Sequence, residues 1–102
     1  IQINYDKLNV MSGVYENAEM GIIPAGAYEN RAYIGENVYF DKNIKEVHKD
    51  ILFDPQTSGG LIIAIDPNDI DDFINELDKN LKTEFSIIGE IKEKKEKFIY
   101  VK

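Results

Sequence analysis

Asp54-Pro55-Gln56-Thr57-Ser58-Gly59-Gly60-Leu61-Ile62-Ile63-Ala64-Ile65 runs from a turn rich in glycine and hydroxyl groups into five consecutive apolar residues. A continuous apolar run of this length reads as a strand covered on both faces, because a half-solvated strand would alternate. Asp66 follows as a candidate helix cap, with Pro67 at the first helical position, where a missing N–H costs nothing. Ile70, Phe73, Ile74, Leu77 and Leu81 then recur at helical spacing and form one apolar stripe. Asp69, Asp71 and Asp72 occupy the first turns, where the helix dipole favours negative charge. The pattern predicts that this stripe packs on the sheet containing Leu61 to Ile65.

Beyond the helix, Phe85, Ile87, Gly89 and Ile91 alternate as a strand, and Phe98 to Val101 is predicted to pair with it as a hairpin. The intervening Lys92 to Lys97 reads as a solvated turn in which Glu93 and Glu96 cancel much of the lysine charge. At the other end, Ile1, Ile3 and Tyr5 alternate as a strand. Val10, Met11, Val14, Tyr15 and Ala18 follow at helical spacing, with Gly21 placed as a C′ glycine. Residues 21–37 carry several glycines and a proline without a clear period and read as a structured loop. Val38 to Phe40 reads as a short extended piece and Ile44 to His48 as one helical turn. Together these elements predict an α/β (α+β) fold, a mixed sheet with packed helices.

A chain of 102 residues makes one domain at most, so 1–102 is read as a single domain. With 43% hydrophobic and 11% aromatic residues, it can build one modest core. The net charge of −7 argues against nucleic-acid and anionic-membrane partners, whose affinity rests on cationic neutralisation. The lack of cysteine removes disulfides, a thiolate nucleophile and cysteine metal sites. No apolar run approaches the roughly 20 residues that span a bilayer. Residue 1 is Ile and strand-like alternation begins at once, so the chain is read as a piece of a longer protein. An exposed edge at Ile1-Ile3-Tyr5 is then expected to recruit a second copy as a homodimer.

The residues of the turn suggest chemistry. Backbone N–H groups beside paired glycines can approach an anion closely, and Thr57 and Ser58 add hydroxyl donors. No Lys-Ser/Thr pair follows, so this is not a Walker loop. Two readings stay open at this level: an anion-binding loop, or a tight turn in which the glycines supply positive φ and the hydroxyls cap their own backbone. Asp54 could help to hold a metal-bound phosphate or simply start a turn. Upstream, Gly21-Ile22-Ile23-Pro24-Ala25-Gly26-Ala27-Tyr28-Glu29-Asn30-Arg31 offers close backbone approach at Gly26 and donors at Asn30 and Arg31. Arg31, the one arginine, suits phosphate or carboxylate, and a surface salt bridge is the plainer reading. His48, without a second imidazole, is read as structural rather than metal-binding, and no metal ligand set is expected.

The box Asp54 to Leu61 and the Gly21 to Arg31 segment, with the closing Ile87-Ile88-Gly89-Glu90-Ile91, together resemble the selenophosphate synthetases (selenide, water dikinases). The resemblance covers essentially the whole chain. It implies a C-terminal domain like that of aminoimidazole ribonucleotide synthetases, closing over an N-terminal domain that carries most of the ATP and Mg²⁺ site. It also implies a cytoplasmic parent enzyme that converts ATP, selenide and water to selenophosphate, AMP and phosphate. Asp54, Gln56, Thr57, Ser58, Gly59 and Gly60 would form a phosphate or nucleotide-cleft loop, and Gly26, Asn30 and Arg31 a second cleft loop. The family's reactive Cys or Sec, its Lys, its Mg²⁺ carboxylates and the Thr-Asp-Val-Thr-Gly-Phe-Gly-Leu segment have no counterpart here. No catalytic residue and no bound cofactor are therefore expected in these 102 residues alone. Another synthetase or maturation enzyme of the same superfamily, or a free-standing binding module, is the alternative.

Overall fold

The computed structural model describes every residue except Thr83. Its strands are short: β1 (Gln2–Ile3), β2 (Val38–Phe40), β3 (Gly89–Glu90) and β4 (Ile99–Val101). They form one mixed sheet in the order β2-β4-β1-β3. β4 runs parallel to both β2 and β1, with Phe40 opposite Val101 and Ile3 opposite Val101. β1 is antiparallel to β3, with Ile3 opposite Gly89. The helices are α1 (Val14–Glu19), α2 (Ala25–Ile34), α3 (Glu46–Leu52) and α4 (Ile70–Asn80). The α+β class read from the sequence is thus the observed one.

The pairings differ from the expected hairpin. β3 and β4 are not neighbours, because the 92–98 connection carries the chain across β1, which lies between them. β1 is consequently an interior strand, and the exposed edge expected at Ile1-Ile3-Tyr5 does not exist: the backbone N–H of Tyr100 donates to Ile1 O at 2.9 Å and that of Asn4 to Ile88 O at 2.8 Å. Alternation marks a strand but not its partners, so local pattern could not place it.

Helices α1 and α2 both pack against α3. Among the described residues, the buried apolar side chains are Ala18, Ala27, Ile44 and Val101, one each from α1, α2, the approach to α3, and β4. The Phe40 and Phe53 rings meet edge to face at 6.1 Å and extend this core toward the end of α3. His48 stacks on Tyr5 at 4.3 Å and tilts toward Tyr15 at 5.5 Å, and its Nδ1 is buried with no hydrogen-bond partner among the described residues. The ring therefore serves packing. Burial raises the Tyr5 hydroxyl above its ordinary pKa, with help from nearby Tyr15 and Asp6.

Two expectations are overturned. Residues 21–37 are not a loop. Pro24 sets the entry to a helix that runs from Ala25 to Ile34 and ends at Gly35, which adopts φ +55°. Pro24 and Gly35 bracket the helix, and Gly26 lies within its first turn. Gly21, with φ +78°, does terminate α1 as expected, donating to Ala18 O at 3.0 Å.

Leu61 to Ile65, in turn, is not a covered strand. The segment makes no strand pairing, and Leu61 is 90% exposed. A two-faced apolar strand needs a partner on each side, and the four-stranded sheet is built without it. α4 forms where the stripe predicts, but it begins after Asp69. Asp66 instead accepts from the Asn68 backbone N–H at 2.8 Å, closing a separate turn that includes Pro67. None of its residues is buried, so the stripe does not pack on 61–65. Phe73→Ala should accordingly cost about 1 kcal/mol by denaturant titration, well under the roughly 3–5 of a buried aromatic truncation. A loss above about 3 kcal/mol would mean that the stripe is covered.

Candidate functional site

The site is built on α2 and α3. Along α2, Gly26, Asn30 and Arg31 fall on neighbouring turns facing α3 and the chain that leaves it. These residues belong to a helix and not to a loop, since the Ala25–Ile34 segment is helical. Each makes a different contact. A Cβ built on Gly26 would lie 3.0 Å from Cγ and 3.2 Å from Cβ of Pro55, so glycine lets the proline ring sit closely on the helix. Asn30 Nδ2 donates to Phe53 O at 3.0 Å, satisfying a carbonyl at the end of α3. Arg31 donates through Nη1 to Asp50 Oδ1 at 3.2 Å and through Nη2 to Glu46 Oε2 at 2.8 Å.

The two sequence motifs, some thirty residues apart, therefore touch. Gly26 meets Pro55 and Asn30 holds Phe53, so α2 fixes the root of the loop Asp54 to Gly60. What the sequence did not signal was the third component, the acidic face of α3. Glu46 and Asp50 stand one turn apart and together occupy the Arg31 fork. Glu46 also pairs with Lys49. The Lys49 and Arg31 hydrogen bonds hold the Glu46 carboxyl below its usual pKa, and the Glu46 contact raises the already high pKa of Arg31. Lys49 lies over the Phe40 ring at 5.4 Å, tying the cluster to the core. With both guanidinium arms engaged, Arg31 acts here as a clamp between helices.

The loop beyond this root is open. Residues 54–60 are all exposed. Asp54 N donates to Ile51 O at 3.2 Å, ending α3. Among the described residues, the backbone N–H groups of 56–60 and the hydroxyls of Thr57 and Ser58 have no hydrogen-bond partner. Neither Gly59 nor Gly60 has positive φ, so the tight-turn reading, with its hydroxyl caps, is not what forms. Gly59 serves space instead. A Cβ on Gly59 would lie 2.8 Å from Gln56 Oε1, so Gln56 folds back over Gly59, while Gly60 has nothing within 4 Å. Unpaired N–H groups beside two hydroxyls on a rigid root can present donors to an anion without first breaking internal bonds.

The Gly26–Pro55 contact has a measurable consequence. Gly26→Ala should leave stability nearly unchanged, as the gain of about 1 kcal/mol in helix propensity offsets the tight Cβ. Gly26→Val adds methyl groups that the proline ring must meet, and a loss of about 1–3 kcal/mol is expected on thermal or denaturant unfolding. Equal stability of the two variants would show that the loop root is not seated on α2.

Relatives share this sequence throughout its length. It is 38% identical over 105 residues to a selenide, water dikinase of Treponema denticola, an alignment that takes in 99% of the chain and 29% of the relative. It is 40% identical over 101 residues to one from Clostridioides difficile and 39% identical over 102 residues to one from Caldanaerobacter subterraneus, again at 29% of their lengths. No family model matches the chain, and no solved structure matches it. From end to end, the chain is related to the selenide, water dikinases, the selenophosphate synthetase family, and spans 29% of the length of these curated relatives.

Proposed function

We propose that these 102 residues are the C-terminal part of a cytoplasmic selenophosphate synthetase. The parent would convert ATP, selenide and water to selenophosphate, AMP and phosphate. The observation that carries this reading is the end-to-end relation to selenide, water dikinases, joined to the meeting of the two motifs at Gly26 and Pro55. In the parent, loop 54–60 would lie at the nucleotide cleft and offer the Thr57 and Ser58 hydroxyls and the 56–60 N–H groups to a phosphate. These donors fit a phosphate group. They fit Mg²⁺ poorly, since Asp54 is the loop's one carboxylate, so the metal would be held mainly by an N-terminal ATP-binding domain. Mg²⁺, when bound, would supply charge neutralisation of the phosphates.

The exposed run Leu61 to Ile63 and the half-buried stripe of α4 accord with a domain that has further neighbours in the parent. No helix of the described residues is long and apolar enough to cross a membrane. The 102-residue chain alone, with no cysteine, should show no selenide-dependent ATP turnover. Release of AMP and phosphate by the purified chain, dependent on selenide, would overturn this reading of it as a part.

A further inference from the structure

The lysine-rich connection between β3 and β4 does more than turn the chain. Five lysines and two glutamates lie between residues 92 and 102, whereas the other 91 residues hold seven basic and seventeen acidic side chains. This local reversal of charge surrounds a cavity of about 270 Å³ lined by Lys92, Lys94, Lys95, Lys97 and Lys102. Two of the five are positioned by aromatic rings. Lys94 Nζ lies 4.8 Å from the Phe98 ring centroid and Lys95 Nζ 5.6 Å from that of Tyr100, and both rings also line the cavity. The Tyr100 hydroxyl accepts from the Lys97 backbone N–H at 3.0 Å, which holds the turn against β4.

The remaining charges decide what the cavity can take. Lys92 is paired with Glu90, and Lys97 lies 3.7 Å from Glu36 and 4.0 Å from Glu96. Among the described residues, Lys94, Lys95 and Lys102 have no side-chain carboxylate partner. Glu93 lines the same cavity and opposes an anion. The volume lies just below the roughly 300–1,000 Å³ of drug-sized pockets, which suits a compact polyanion better than a whole nucleotide.

We propose that this cavity is a second anion site, distinct from loop 54–60, that binds a di- or triphosphate group through Lys94, Lys95 and Lys102. The test is a backbone-amide NMR titration of the 102-residue chain with inorganic pyrophosphate at low ionic strength. Saturable shifts should concentrate at residues 92–102 and weaken steeply with added salt, as expected for exposed charges. Lys94→Gln with Lys95→Gln should weaken binding about tenfold or more, while Lys42→Gln with Lys82→Gln should leave it within about twofold. Acetylation of the Ile1 amine should leave most of the affinity in place. Binding that disappears on acetylation, that the 94/95 pair does not alter, or that maps to loop 54–60 would overturn the proposal. Shifts scattered over all lysines would do the same. Salt-sensitive shifts in the unmodified chain keep the test valid even if the double variant is less stable.

Discussion

Gly89→Ala is expected to be the most damaging single-methyl change in the fold. A Cβ at this position would lie 1.9 Å from Gln2 O, 3.0 Å from Gln2 C and 3.1 Å from Ile3 Cα. All three are backbone atoms, so no side chain can turn aside, and β3 must part from β1. That pairing is the whole of β3's place in the sheet, with Gln2 opposite Glu90 and Ile3 opposite Gly89. Overpacking at sites that can relax costs about 1–3 kcal/mol, and a backbone clash without relief should cost on the order of 3 or more. For a domain whose total stability is about 5–15 kcal/mol, this is a large share. The melting temperature should fall by roughly 10–20 °C. Gly60→Ala supplies the contrast, since its Cβ meets nothing within 4 Å and its φ is not positive. There the loss of backbone freedom in the unfolded chain should give no change or a gain of up to about 1 kcal/mol. A loss under about 1 kcal/mol at Gly89 would show that β3 does not lie against β1 at this register.

Gly89 also marks how far local pattern reaches. Its place in the alternation Phe85, Ile87, Gly89, Ile91 marked a strand, of which Gly89–Glu90 forms, and a strand glycine signals close backbone approach. Nothing in that spacing says that the backbone approached is β1, some eighty-five residues away, because pairing across the chain is set by the whole sheet. The same division runs through the molecule. Gly21 could be read as the end of α1, since a C′ glycine acts through its own φ, and the α4 stripe could be read from periodicity. α2 was illegible because its residues carry no apolar period and its boundary residues, Pro24 and Gly35, resemble loop punctuation. The run Leu61 to Ile65 misled for the opposite reason. Its pattern states what the segment needs, a cover on both faces, and not whether these residues supply it.

For the candidate site, composition identified the loop 54–60 and the donors Asn30 and Arg31. Their roles depended on partners that no spacing could name. Arg31 is held by Glu46 and Asp50, Asn30 by the Phe53 carbonyl, and Gly26 gives space to Pro55. The plainer reading of Arg31 as a salt-bridge residue is the one its geometry displays.

The second large effect concerns turnover. In the proposed full-length dikinase, Thr57→Ala with Ser58→Ala removes two exposed hydroxyls that bond to nothing among the described residues. Stability should therefore change by less than about 0.5 kcal/mol, as for other surface substitutions. If the hydroxyls meet a phosphate during the reaction, their loss withdraws donors from a developing charge. Donors so placed are worth on the order of 10²-fold in rate each, and the exposed setting of this loop should bring the pair to roughly 10–100-fold. Under the proposed function a loop rooted on α2 serves the dikinase reaction, so the deciding measurement is kcat for selenide-dependent AMP formation by this double variant beside its melting temperature. kcat should fall by roughly 10–100-fold with melting unchanged within about 2 °C. Wild-type kcat with a lowered melting temperature would contradict this and leave the loop without a part in the reaction.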